Sequence, residues 1–171
     1  AVEHPLSIQC DSTVRALAIN ETATLAAIVS DHALYLWDLR KDLCVRTYDV
    51  DDVVAVSFGK DKTADSVLVF MADHTIMTGG ASVETLSVLN RFEDPALEYS
   101  KIISVAPAAK SFLFVLCEID HGQYAIVRVG LNSGKSSIVL RVFVAGMQIW
   151  GAAVNDNSVQ LREDATCLRI V

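Results

Sequence analysis

The sequence contains a strand–turn–strand pattern that recurs along its length. The clearest copy spans residues 28–39, where two apolar runs flank Asp31-His32. Similar copies surround Asp73-His74, 42 residues later, and Asp120-His121, a further 47 residues along. A repeat of this length is one small structural unit that cannot bury its apolar face alone, so we expect the units to stack on each other.

Short runs of Val, Ile, Leu and aromatic residues alternate with turn-forming residues along the whole chain. This alternation is typical of strands and turns, and no window of helical length keeps a 3.6-residue apolar stripe. We therefore predict an all-β chain. The expected strands are 14–20, 24–30, 33–39 and 43–50, then 53–59, 66–72, 75–79 and 83–90, then 102–106, 111–119, 123–131 and 136–144, and finally 147–155, 158–163 and 166–171, with a further leading segment at 5–9.

The first strand of each of the first three units is apolar almost without alternation, as in residues 14–19 and 53–58. A strand with one face in water would alternate, so we expect these strands to be covered on both faces. Four-stranded units that repeat every 40–45 residues or so predict the antiparallel blades of a β-propeller, stacked face to face. The expected blades are residues 10–50, 51–91, 100–145 and 146–171 of one domain.

Residues 14–48 resemble the WD-repeat β-propeller family. Trp37-Asp38 closes the third strand, and Asp31 lies six residues before Trp37, where the family has its turn aspartate. The resemblance implies that Asp31 holds the turn by accepting hydrogen bonds from backbone amides, whereas Trp37 buries its ring and offers its N–H. Asp73 and Asp120 are the corresponding turn aspartates, and Gly79 and Val129 stand at the tryptophan position.

The family resemblance also implies a function. It favours a non-catalytic scaffold for protein–protein contacts, acting as a subunit of a larger complex in the cytoplasm or nucleus. Four units are fewer than most WD-repeat propellers contain, so an incomplete propeller is expected, completed by other residues or by another chain. The alternative is a small closed ring, in which residues 5–9 supply the missing outer strand of the fourth blade.

Charge and cysteine content exclude several classes of function. The 21 acidic residues outnumber the 14 basic ones, which argues against nucleic acid as a direct ligand. No Cys-x-x-Cys pair is present, and Cys44 and Cys117 are expected to pack as small apolar side chains. The N-terminal residues lack a signal-peptide pattern, and the apolar residues 138–154 fit two adjacent strands better than a membrane helix.

The Asp-His pairs are the sharpest candidate site for chemistry. Imidazole and carboxylate groups serve in metal binding or acid–base catalysis, so one hypothesis is a ligand-binding, metal-binding or hydrolytic propeller that uses His32, His74 and His121. The alternative is that each aspartate fixes a turn and each histidine is its exposed neighbour. We favour the turns, because equivalent corners of successive blades diverge, and we expect no enzyme activity, metal or cofactor.

Loop positions predict an uneven distribution of charge. In a blade of antiparallel strands, the second-to-third turns and the blade-to-blade connections emerge at the same end. We name this end the acidic face; its charged residues are Asp31, Asp49, Asp51, Asp52, Asp73, Glu93, Asp94, Glu98 and Asp120, with Arg91 and Lys101. Such a face attracts basic segments of other proteins, and Phe92 and Tyr99 in the longest connection either anchor a partner or cap the blade beneath.

Overall fold

The computed structural model describes residues 13–94, 97–98, 100–109, 111–120, 122–133, 135–143, 149–155, 158–163 and 166–170. Within them the chain forms fifteen strands in four antiparallel sheets, together with a short 3-10 helix at Asp61–Thr63. In every sheet the strands follow one another in chain order, so each sheet is a simple meander.

The first two sheets have four strands each. Sheet 1 contains β1 (Ala16–Ile19), β2 (Leu25–Val29), β3 (Ala33–Asp38) and β4 (Leu43–Asp49). Sheet 2 contains β5 (Val53–Phe58), β6 (Val67–Met71), β7 (Thr75–Gly79) and β8 (Ser87–Arg91).

The third sheet has four strands and the fourth has three. Sheet 3 contains β9 (Lys101–Ala109), β10 (Phe112–Asp120), β11 (Gln123–Gly130) and β12 (Ser136–Phe143). Sheet 4 contains β13 (Ile149–Asn155), β14 (Ser158–Glu163) and β15 (Thr166–Ile170).

All fifteen strands expected from the sequence are present in the described residues. The largest shift is at β8, which was expected from residue 83 but begins at Ser87. A turn precedes it, closed by a hydrogen bond from the Val83 amide to the Gly80 carbonyl at 3.0 Å. The four-stranded antiparallel architecture is therefore confirmed, whereas residues 5–9 lie outside the described part of the chain.

Consecutive sheets pack against each other through their first strands. β1 contacts β5, β5 contacts β9, and β9 contacts β13. An apolar cluster between sheets 1 and 2 includes Leu34, Leu36, Phe58 and Val69, and a second cluster lies between sheets 2 and 3. Among the described strands, sheets 1 and 4 make no substantial contact with each other, so the sheets form an open arc.

We expected β1 to be buried on both faces, and this prediction is wrong. Leu17 and Ile19 are 61% and 56% exposed, although they lie on the innermost strand of sheet 1. Their neighbours Ala16 and Ala18 are partly buried against the cluster shared with sheet 2. The reason is positional, because sheet 1 is an end of the arc and has a described sheet on one side only.

Buried polar contacts connect sheets 1 and 2. The hydroxyl of Tyr48 lies 2.7 Å from the Gly80 carbonyl and 2.6 Å from the Val83 carbonyl, and it accepts a hydrogen bond from the Gly80 amide at 3.0 Å. A Cβ atom at Gly79 would lie 2.8 Å from the same hydroxyl. The Leu86 side chain would lie 2.7 Å from the same Cβ, so Tyr48 and Leu86 leave no room for a side chain at the tryptophan position of sheet 2.

A second polar contact connects the same two sheets. The Asn20 side chain donates to Asp65 at 2.9 Å, and its oxygen accepts the amides of Thr24 and Leu25. Asn20 is 4% exposed. This side chain therefore fixes the turn between β1 and β2 and connects it to sheet 2.

The two described cysteine side chains differ. Cys117 is fully buried, as expected, and this burial raises the pKa of its thiol to about 11. Cys44 is exposed, so the prediction that it packs as an apolar side chain is wrong. It lies on the outermost strand of sheet 1, where no described sheet covers it. No helix in the described part of the chain is both long and apolar enough to cross a bilayer.

Candidate functional site

Backbone hydrogen bonds confirm that the second-to-third turns lie beside the inter-sheet connections. The Val50 amide donates to the His32 carbonyl at 3.0 Å, and the Phe92 amide donates to the His74 carbonyl at 3.3 Å. These are equivalent bonds in two repeats, because each joins residues 18 positions apart. The sequence contains this spacing, but local patterns do not reveal it as a contact.

The other turns lie at the opposite end of the sheets. The Leu39 amide donates to the Thr24 carbonyl at 2.9 Å, which joins the first-to-second and third-to-fourth turns of sheet 1. A similar bond joins Leu131 to Ser111 in sheet 3 at 2.8 Å. The two sets of loops are therefore separated as the antiparallel order requires, and the acidic face is one rim of the arc.

His32 and Asp51 meet on the acidic face. The His32 Nδ1 atom lies 2.6 Å from a carboxylate oxygen of Asp51, and both side chains are exposed. The hydrogen bond and the negative charge of Asp51 raise the pKa of His32 above its ordinary value, with a smaller contribution from the charge of Asp31. Asp31 itself accepts a hydrogen bond from Arg15 at 2.5 Å.

His74 occupies the equivalent turn but has a different environment. It is 7% exposed and stacks on the Phe92 ring, with 4.7 Å between ring centroids. Its Nε2 atom lies 3.2 Å from the Ser100 carbonyl oxygen, and its φ of 69° lies in the left-handed region. The expectation that each histidine is an exposed neighbour of its turn is therefore wrong for His74, which packs under the connection to sheet 3.

Phe92 is buried as well. It is 1% exposed and belongs to the cluster between sheets 2 and 3, so it caps the sheet beneath and offers almost no area to a partner. Of the two roles that the sequence allowed for Phe92, burial favours the cap. Tyr99 and His121 lie outside the described residues.

Two aspartates beside turns, Asp73 and Asp38, accept hydrogen bonds from backbone amides. Asp73 accepts a hydrogen bond from the Thr75 amide at 3.0 Å, and this bond, with the Thr75 hydroxyl, lowers the pKa of Asp73. Asp38 accepts the amides of Arg40 and Lys41 in the third-to-fourth turn, and these two bonds lower its pKa.

Trp37 departs from the arrangement that the family resemblance implied. Its N–H donates to Asp42 at 3.1 Å, but its ring is only partly buried. Trp37 pairs with Ala26 on the side of sheet 1 that faces away from sheet 2. No described sheet lies on that side, so the ring remains partly open to solvent.

A surface cavity of about 740 Å³ lies between the β6–β7 turn and the connection from sheet 2 to sheet 3. Among the described residues that line it, four carboxylates oppose one arginine. The Arg91 Nε atom donates to the Asp73 carbonyl at 3.1 Å, and its guanidinium lies 3.8 Å from the Glu93 carboxylate. The lining residues are Ala72, Asp73, His74, Arg91, Phe92, Glu93, Asp94 and Glu98.

Two smaller cavities involve other predicted residues of the acidic face. One, of about 280 Å³, is lined in part by Asp52 and Asp73, and the other, of about 390 Å³, by Asp49 and Glu84. The structure thus brings Asp73, Glu93 and Asp94 to one cavity and places Asp49, Asp51 and Asp52 along the first inter-sheet connection. In the described residues, no group of three His, Cys, Asp or Glu side chains is arranged to hold a metal ion.

Comparison with known proteins identifies the fold. No protein-family model matches the sequence, and no curated protein matches it. The chain is structurally similar to BamB from Moraxella catarrhalis, with a TM-score of 0.58 and 12% identity over 90% of this chain. It is also similar to the Cps50 (Swd1) β-propeller domain of Myceliophteria thermophila, with a TM-score of 0.60 and 12% identity over 92% of the chain.

The chain has a β-propeller fold. A third similar structure is the computationally designed protein Ika8, with a TM-score of 0.58 and 18% identity over 94% of this chain. The chain spans about half the length of these structures, covering 48%, 54% and 46% of them in the order given. Three to four propeller blades are therefore present.

Proposed function

We propose that this chain is a non-catalytic, WD-repeat-like interaction subunit whose acidic face binds a basic segment of a partner protein. The observation that carries the proposal is the 740 Å³ cavity, where four carboxylates face a single, already engaged arginine. A cavity lined by one sign of charge attracts side chains of the opposite sign and speeds their association.

The framework beneath the cavity supports this proposal. His74 and Phe92 are buried and stacked, so they hold the turn and the connection in a fixed relation. Exposed carboxylates on a fixed framework lose little conformational entropy when they bind a cation. The amide and hydroxyl of Thr75 lower the pKa of Asp73, which keeps this carboxylate negatively charged in moderately acidic solution.

The test is a binding titration with a fluorescein-labelled hexalysine peptide at low salt, followed by anisotropy. Glu98→Lys should raise the Kd by about 3- to 10-fold, because a surface ion pair is worth about 0.2–1 kcal/mol and reversal replaces attraction with repulsion. Glu98 lines the cavity and is exposed, so its replacement should leave the thermal unfolding temperature unchanged.

The matched control is Glu21→Lys, which makes the same change of charge in the exposed β1–β2 turn at the opposite end. Its Kd should stay within about two-fold of the wild type. Equal weakening by the two variants would show attraction to net charge alone, and the absence of saturable binding by the wild type would contradict the proposal. Asp51 and Asp52 are poorer choices, since Asp51 contacts His32 and Asp52 has a φ of 58°.

A further inference from the structure

The 740 Å³ cavity adjoins the two smaller cavities of the acidic face. Asp73 lines both this cavity and the one of about 280 Å³. Met77 lines both the 280 Å³ cavity and the one of about 390 Å³. The three cavities therefore follow one another from the connection between sheets 2 and 3 to the space between sheets 1 and 2, and we name this path the groove.

The far part of the groove, the 390 Å³ cavity, is a gap between the outer parts of two sheets. Thr47 and Tyr48 of β4 line it on one side, and Met77 of β7 lines it on the other. Met77 and Leu86 are partly buried against the apolar cluster between these sheets. Because blades are arranged radially, neighbouring sheets separate toward their outer strands, and the gap exposes the edge of this cluster.

Two methionines form an apolar strip along the groove. Met71 and Met77 are partly exposed and lie on the side of sheet 2 that packs against sheet 1. Their flexible, polarisable thioethers adapt to apolar groups of different shapes. A wholly polar partner would leave this strip without a contact, so the groove fits a segment that carries an aliphatic side chain.

Carboxylates lie beside the apolar strip. Asp49 and Glu84 line the gap, and Asp52 lines the 280 Å³ cavity. All three are exposed, and none of their side chains forms an ion pair with another described residue. Among the described residues that line these two cavities there is no lysine or arginine. The charge of the whole groove therefore complements a basic segment.

We propose that the partner segment combines basic residues with an aliphatic side chain, which enters the gap between sheets 1 and 2 while the basic residues bind the 740 Å³ cavity. This inference rests on the proposed function, because it extends the same site. Asp73 and Met77 are four residues apart, which is at most about 13 Å at about 3.3 Å per residue. An extended segment with about three residues between its basic and aliphatic groups spans this distance.

The test compares the binding of fluorescein-labelled peptides, followed by anisotropy at low salt. One peptide is hexalysine preceded by Leu-Gly-Gly-Gly, another is hexalysine followed by Gly-Gly-Gly-Leu, and serine replaces leucine in their counterparts. We expect one leucine peptide to have a Kd at least about fivefold lower than its serine counterpart. The reason is that burial of an aliphatic side chain favours binding by more than the cost of ordering a short linker.

Two variants locate the leucine. Thr85→Lys places a charge in the gap from an exposed position, and Met77→Ser removes part of the apolar wall. Each should bring the Kd values of the leucine and serine peptides to within about twofold of each other. This ratio is insensitive to the added charge, because both peptides carry six lysines. Thr85→Lys should unfold at the wild-type temperature, so it keeps the test decisive if Met77→Ser loses stability.

The matched control is Leu43→Ser, which removes a 44% exposed apolar side chain at the other end of β4. The leucine peptide should keep its advantage in this variant. An advantage that is lost in Leu43→Ser, or that survives both Thr85→Lys and Met77→Ser, would place the leucine elsewhere and overturn the proposal.

The peptides also separate this inference from the proposed function. Equal Kd values for leucine and serine peptides, with hexalysine binding intact, would overturn this inference alone. No saturable binding by any peptide would contradict the proposed function and this inference together. Self-association of the wild type, measured by light scattering and lost in Thr85→Lys, would place a second copy in the gap and would also overturn the proposal.

Discussion

At the scale of single residues, Tyr48 is the clearest example of a side chain that joins two sheets. It belongs to β4 of sheet 1, yet its hydroxyl contacts the backbone of Gly80 and Val83 after β7 of sheet 2. Tyr48 is 4% exposed and Gly80 is buried, so the Gly80 amide has little access to water that could replace the hydroxyl. Loss of the hydroxyl would leave this buried amide without a partner.

Tyr48→Phe should therefore lower the free energy of unfolding by about 1–3 kcal/mol, the usual cost of unsatisfied buried groups. The measurement is urea unfolding followed by circular dichroism. Tyr35→Phe is the control, because Tyr35 is only partly buried on the uncovered side of sheet 1, and it should change stability by less than about 0.5 kcal/mol. Equal losses in the two variants would contradict the role assigned to Tyr48.

Gly79 stands where the family has tryptophan, but the sequence alone does not explain why a glycine is needed there. The space beside Gly79 is filled by Leu86 and by Tyr48, which is 31 residues earlier in the chain. Phe92 and Cys44 are similar cases, since an aromatic residue in a long connection is buried and a cysteine in an apolar strand is exposed. Burial at these positions depends on neighbouring sheets, which local patterns do not record.

At the scale of elements, the turn between the second and third strands is attached to the connection that leaves the same sheet. In sheet 1, the His32 carbonyl accepts the Val50 amide and the His32 ring contacts Asp51. In sheet 2, the His74 carbonyl accepts the Phe92 amide and the His74 ring stacks on Phe92. The histidines therefore serve the same structural purpose through different side-chain contacts.

The pKa of His32 tests this attachment. Because Asp51 stabilises the protonated ring, the pKa of His32 is raised in the folded chain. The contact therefore contributes its full stabilisation below the ordinary histidine pKa of about 6.5, and this contribution is lost as pH rises through the raised value. Asp51→Asn should lower the pKa of His32 toward its ordinary value, measured by NMR titration of the ring proton.

Asp49→Asn is the control for that titration, because it removes an exposed carboxylate of the same connection that does not bond to His32. The pKa of His32 should change little in this variant. A pKa that responds equally to both substitutions would mean that the general negative field, and not the contact with Asp51, sets the titration.

Strands were the most predictable elements of this chain. Apolar runs and turn residues marked all of them, because turn chemistry is local and short apolar runs between turns are visible in the sequence. The acidic face was also predictable, since the order of antiparallel strands fixes the end at which each loop emerges. The cavity was not, because it depends on how Arg91, Asp94 and Glu98 in one connection pack beside Asp73 in a separate turn.

At the scale of the whole molecule, the apolar clusters and the acidic loops occupy different parts of the fold. The clusters between sheets fix the arc, whereas the acidic loops project from one rim of it.

The most direct test of the acidic face as the binding surface is a map of backbone amide chemical shifts during titration with hexalysine peptide at low salt. We expect the shifts to change at Asp73, His74, Glu93 and Glu98, which lie at the cavity, and to a smaller extent at His32 and Asp51. Amides of the opposite end, at Glu21 and in Asp61–Thr63, should not change. Changes centred on those loops, or changes spread evenly over the molecule, would contradict the account.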